Sequence, residues 1–126
     1  QEYVKPEPKP QPKVEEKKVE EIRRDVFFVI NSNKIASNEE SKIKEVVDFL
    51  NANPEAKVVV TGYADAGTGN DRINDAISAK RAAAVVKALK EKYGIEESRI
   101  TEDSKGARVQ PFSENDKNRV SIMIAK

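Results

Sequence analysis

Cysteine, histidine and tryptophan are absent from this chain, and methionine occurs once. Without thiol or imidazole, the zinc, haem and iron–sulfur sites built on those ligands have no donors, and a Ser-His-Asp triad cannot be assembled. No metal and no cofactor are therefore expected. The redox compartment stays open, because a chain without cysteine suits either side of a membrane. An excess of one charge is also missing: 23 basic against 22 acidic residues leave +1. A balanced surface gives no reason to expect nucleic acid, whose binders concentrate basic charge. No apolar run approaches the roughly 20 residues that cross a bilayer, and no signal-peptide core precedes a cleavage site. What the 126 residues do have is charge, 36% of them, against roughly 25% in an average soluble domain. The length suits one domain.

Charge and proline are unevenly placed, and this sets the first boundary. Residues 1–21 hold Pro6, Pro8, Pro10 and Pro12, with five lysines, six glutamates and only Tyr3, Val4, Val14 and Val19 as apolar side chains. Proline alternating with polar residues biases the backbone to an extended form and leaves little to bury. Residues 1–21 are expected to be a flexible tether, so the chain reads as a piece of a larger protein. Residues 22–126 are expected to be the folded domain.

That domain has the rhythm of an α/β protein. Val26-Phe27-Phe28-Val29-Ile30 is a wholly apolar run that predicts a covered strand. Ser37-Asn38-Glu39-Glu40 has capping-box spacing, Ile43, Val46, Val47 and Leu50 follow at helical spacing, and Pro54 closes the element. Lys57–Thr61 predicts a second strand and Asp65–Asn70 a loop with Gly67 and Gly69. A long helix runs from about Asp71 to Tyr93, with Gly94 as its stop. Short strands near Arg99–Glu102 and Arg119–Ala125 complete the set, the last with Val120, Ile122 and Ile124 on one face. The expected fold is α/β: a β-α-β-α-β-β two-layer sandwich, two main helices packed on a mixed four-stranded sheet.

Asp65 falls at the carboxyl end of a predicted strand, where open α/β sheets place ligands. Arg81 lies nearly two helical turns beyond Asn74, and long helical side chains lean toward the helix N-terminus, back toward Asp65. An acid and a guanidinium in one part-exposed cleft suit a zwitterion, its carboxylate on Arg81 and its ammonium on Asp65. The same two residues could equally bridge each other and hold the loop.

Val58-Val59-Val60-Thr61-Gly62-Tyr63-Ala64-Asp65 resembles the strand-to-loop Gly-His-Thr-Asp motif of the OmpA-like peptidoglycan-binding domain. Asn74 to Val85 is similar to that family's helix signature, Asn-x-x-Leu-Ser-x-x-Arg-Ala-x-x-Val. The likeness extends to Phe28–Ser32, to Gly106–Pro111 and to Asn118–Ile122, and covers about residues 22–126. The resemblance implies binding to peptidoglycan through meso-diaminopimelate of the stem peptide. It maps the ammonium-binding acid onto Asp65, the carboxylate-binding arginine onto Arg81 and a cleft asparagine onto Asn74. Ile30, Asn31, Ala64 and Ile77 fall where family members line the pocket, and Arg119 is a weaker transfer. It implies further a periplasmic domain of an outer-membrane protein in a diderm bacterium, attached to the membrane through an upstream part, usually a β-barrel. The chain departs from the family in three places: Tyr63-Ala64 for His-Thr, a loop Ala66–Asp71 about one residue longer, and one arginine, Arg119, where two are usual.

Enzymatic function is not expected. The paired acids Glu39-Glu40, Glu96-Glu97 and Glu102-Asp103 sit at a helix start, a turn and a strand end, where they read as solvated surface. Gly67-Thr68-Gly69-Asn70 lacks the lysine of a phosphate-binding loop. The alternative to wall binding is a non-enzymatic protein-interaction or oligomerisation module on the same fold.

Overall fold

A computed structural model describes residues 21–126; the tether expected over 1–21 lies almost wholly outside them. Four strands, β1 (Ile22–Phe27), β2 (Val58–Gly62), β3 (Ile100–Ser104) and β4 (Val120–Ala125), accompany two helices, α1 (Glu40–Ala52) and α2 (Asp71–Lys87). The sheet order is β1-β4-β2-β3, with β4 antiparallel to both neighbours and β2 parallel to β3. The last strand thus enters the middle of the sheet. The α/β two-layer expectation holds, with both helices on the mixed sheet.

Each helix contributes a stripe to one core. Ile43, Val46, Val47 and Leu50 from α1 meet Ala82, Val85 and Val86 from α2 over Val26, Val58, Val60, Met123 and Ala125. These spacings are the 3.6-residue and two-residue periods that put side chains on one face of a helix or strand. On β4 the expected row of Val120, Ile122 and Ile124 does share a face, but it faces away from the helices. Their strand partners Phe27, Asp25 and Arg23 are paired with them across the ladder. The core instead takes Met123 and Ala125.

One expected boundary moves, one expected cap does not form, and one helix end changes its winding. The first strand is Ile22–Phe27, not Val26–Ile30. Arg23, Arg24 and Asp25 disguise it, because an edge strand carries charge readily; Arg24 is neutralised by Glu45 of α1 at 2.6 Å. Val29 and Ile30 are exposed, on a turn closed by Ser32 N–H to the Val29 carbonyl at 3.1 Å. Asn31 takes φ 58° there, a conformation asparagine tolerates better than most residues. The expected capping box does not form. Ser37–Glu39 is a 3₁₀ turn, and the Glu39 carboxylate accepts instead from Phe27 N–H and Lys42 Nζ, each at 2.9 Å. The long helix ends near Tyr93 as expected, but its last stretch, Ala88–Lys92, widens into a π-turn that buries Leu89.

Candidate functional site

β2 ends at Gly62 against the backbone of α2. A Cβ there would lie 2.0 Å from the Ser78 carbonyl oxygen and 2.9 Å from the Ala82 nitrogen, so only glycine lets strand and helix approach this closely. The Ser78 hydroxyl accepts from Gly106 N–H at 2.9 Å and donates to the Asp75 carbonyl at 3.0 Å. Beyond Gly62 the chain is held by Tyr63 N–H to the Val120 carbonyl and Ala64 N–H to the Gly106 carbonyl, both 2.8 Å. This fastening delivers Asp65 to the rim of the sheet.

Asp65 is 3% exposed. Its Oδ1 accepts from the Thr68 hydroxyl at 2.7 Å and from Asn115 Nδ2 at 3.3 Å; its Oδ2 accepts from Arg119 Nε at 2.7 Å. Burial pushes the carboxyl pKa up, but those three hydrogen bonds and the Arg119 charge outweigh it and hold the group below its ordinary 3.8. Asp65 is an ionised acceptor at neutral pH, not a proton donor.

Arg81 is 1% exposed and reaches from α2 to three backbone carbonyls: Nε to Ser32 at 2.9 Å, Nη1 to Tyr63 at 3.1 Å and Nη2 to Val29 at 3.3 Å. Its guanidinium also lies 5.5 Å from the centroid of the Phe28 ring. Burial pulls its pKa from 12.5 to about 10, the Asp65 charge opposing and the Arg119 charge adding, so it remains a cation. Among the described residues no carboxylate makes an ion pair with it. The direct Asp65–Arg81 bridge left open by the sequence is not formed: Arg119 takes that place on Asp65. Nor is the pair part-exposed, as expected; both side chains are buried.

The two charges wall one narrow cleft. Asn31 and Ala64 line it beside them, and Asn74 and Ile77 face it from α2. Asn74 is buried, yet among the described residues its side chain makes no hydrogen bond. Gly69, at φ 71°, curves the loop so closely over Asn74 that a Cβ would lie 2.9 Å from its Oδ1. The Asn70 side chain accepts from Ile73 N–H at 2.9 Å and starts α2 at that point.

A model of the OmpA family matches residues 27–122. The chain belongs to the OmpA family. Outer membrane protein 40 of Porphyromonas gingivalis is 42% identical over 100 residues, covering 79% of this chain and 26% of its own. Outer membrane porin F of Pseudomonas aeruginosa is 33% identical over 79 residues, 63% of this chain and 22% of its own. The chain thus spans about a quarter of the length of these curated relatives. The peptidoglycan-associated lipoprotein of Burkholderia pseudomallei shares the fold at a TM-score of 0.75 and 21% identity, over 82% of this chain and 90% of that one. The C-terminal domain of Helicobacter pylori MotB does so at 0.67 and 23%, over 80% and 83%.

Of the site residues expected for this OmpA domain, the fold gathers Asp65, Arg81, Asn74, Asn31, Ala64 and Ile77 around the cleft. Ile30 is 47% exposed and not among its lining residues, and Arg119 touches Asp65 from behind rather than lining it. Sequence reasoning missed the residues that hold the acid. Thr68 and Asn115 bond its carboxylate, and Asn115 Oδ1 also accepts Gly67 N–H at 2.9 Å. Gln110 donates to the Ala64 carbonyl and accepts from Ala66 N–H and from the buried Asn118. Gln110 and Asn118 stood inside the Gly106–Pro111 and Asn118–Ile122 likenesses, which were the available signals; nothing marked Asn115.

Proposed function

We propose that this OmpA-family domain binds peptidoglycan non-covalently, holding the free amino-acid centre of meso-diaminopimelate in the stem peptide. The observation that carries the reading is Arg81: a buried guanidinium, bonded to carbonyls yet with no carboxylate partner among the described residues, sharing a cleft with ionised Asp65. A ligand carboxylate supplies the missing anion. Its ammonium meets Asp65, whose charge Arg119 shares, and the unoccupied amide of Asn74 faces the same space. Asn31 and Ala64 line the space between them. An ionised acid held by three hydrogen bonds suits recognition of a ligand ammonium.

Family membership and the printed name of the Burkholderia neighbour, peptidoglycan-associated lipoprotein, support peptidoglycan as the partner. Relatives named as outer membrane proteins support a periplasmic domain that anchors an outer-membrane protein to the wall, attached through an upstream part such as a β-barrel. The test is co-sedimentation with purified sacculi, comparing wild type with Asp65→Asn, which keeps the side-chain shape and removes the charge. Wild type should sediment and the variant should stay largely in solution. Equal sedimentation sinks the reading in favour of a protein-interaction module.

A further inference from the structure

The cleft does not end at Ile77. A second, shallow depression shares Asn31, Ile73 and Ile77 with it and continues to Lys80. A third shares Lys80 and runs on over Ala83 and Ala84 to Lys87. The three form one open groove between α2 and the segment 31–35. The small side chains Ala76, Ala83 and Ala84 form its floor on the α2 side, and Ile73, 48% exposed, stands at the end nearest the cleft.

Two cations lie along that groove, Lys80 and Lys87. Both are exposed, and among the described residues neither has an acidic partner, although most other lysines of the domain do, such as Lys42 with Glu39 and Lys44 with Asp48. Seven helical residues separate them by about 10 Å, the reach of roughly three extended peptide residues. The path begins where an amino-acid centre would sit between Asp65 and Arg81.

We propose that this groove is a second subsite, which takes an acidic peptide segment continuing from the residue held in the cleft, with Lys80 and Lys87 meeting its carboxylates. The inference rests on the diaminopimelate reading of the cleft. Its occupant is chosen by continuity with that site and by the sign of the uncompensated charge. Exposed pairs of this kind add modestly and are screened by salt.

The experiment is calorimetric titration of wild type and the double variant Lys80→Gln/Lys87→Gln with two probes. One is free meso-diaminopimelic acid; the other is the stem tripeptide that carries a glutamyl carboxylate beside diaminopimelate. Both substitutions lie on exposed helix positions, and glutamine is a good helix former, so the fold is retained. The variant should bind the tripeptide roughly threefold to tenfold more weakly and bind free diaminopimelic acid as wild type does. The wild-type preference for the tripeptide should shrink at high salt. Equal tripeptide affinity in the two proteins, with diaminopimelic acid bound by both, overturns the subsite alone. Failure of wild type to bind diaminopimelic acid overturns the cleft reading and this one with it.

Discussion

Arg81 heads the fully buried side chains by volume, and its three carbonyl partners belong to two segments far apart in the chain, the Val29–Ser32 turn and Tyr63. One residue therefore both closes the fold around the cleft and presents charge to it. Arg81→Ala should cost at least about 3 kcal/mol, since hydrogen bonds from charged donors contribute roughly 1.5–3 kcal/mol each. Arg81→Lys should also destabilise, because a single ammonium cannot reproduce a planar fork aimed at three acceptors. Urea titration followed by circular dichroism checks both, and wild-type midpoints would show that the guanidinium is not a structural clamp. Asp65 differs in kind. Its partners come from its own loop and from the facing segment 115–119, so Asp65→Asn should leave the domain folded. Losing a charge-assisted contact to a ligand ammonium should weaken sacculus binding about tenfold to hundredfold. A dissociation constant within twofold of wild type would remove Asp65 from the ligand.

Between β2 and α2 the decisive contact is backbone against backbone. Gly62→Ala drives a methyl group to 2.0 Å from the Ser78 carbonyl oxygen, which neither element can relieve by a rotamer change. The expected loss is about 3 kcal/mol, at the upper end for overpacking. Because the displaced loop carries Asp65, binding should fall with stability. Retention of the wild-type melting temperature would mean that the two elements separate freely. At the far end of the same helix, Leu89 is fully buried within the π-turn. Leu89→Ala should cost about 2–5 kcal/mol in thermal or chemical unfolding and leave diaminopimelate affinity of the folded protein unchanged. An affinity change would tie the π-turn to the cleft. The two substitutions thus separate the end of α2 that builds the site from the end that only builds the core.

Taken whole, the domain has no group with an ordinary pKa near neutrality, since histidine is absent. Arg81, lowered to about 10, is protonated both folded and unfolded from about pH 5.5 to 8 and contributes no pH dependence there. Asp65 has a folded pKa below its ordinary 3.8. Its stabilising contribution is present above that ordinary value and is lost as pH falls through the lower, folded one. Sacculus binding and melting temperature should accordingly be flat from about pH 5.5 to 8, with the Asp65 contribution lost only below about pH 4. A binding midpoint near pH 7 would assign control to a different group. The sequence by itself determined the layered α/β plan, the helix faces of Ile43–Leu50 and Ala82–Leu89, and the family, because periodicity and short motifs are local properties of the chain. It also singled out Asp65, Asn74 and Arg81. It misplaced β1, because Arg23, Arg24 and Asp25 are tolerated only where an edge strand and the Glu45 carboxylate receive them. Which residue neutralises Asp65, and what Arg81 grips, were decided by tertiary structure alone. Inserting β4 between β1 and β2 carries Arg119, 54 residues along the chain, to the acid and leaves Arg81 to the carbonyls of a turn 49 to 52 residues before it. Spacing along a sequence cannot show such pairings, for they follow from which strand lies next to which.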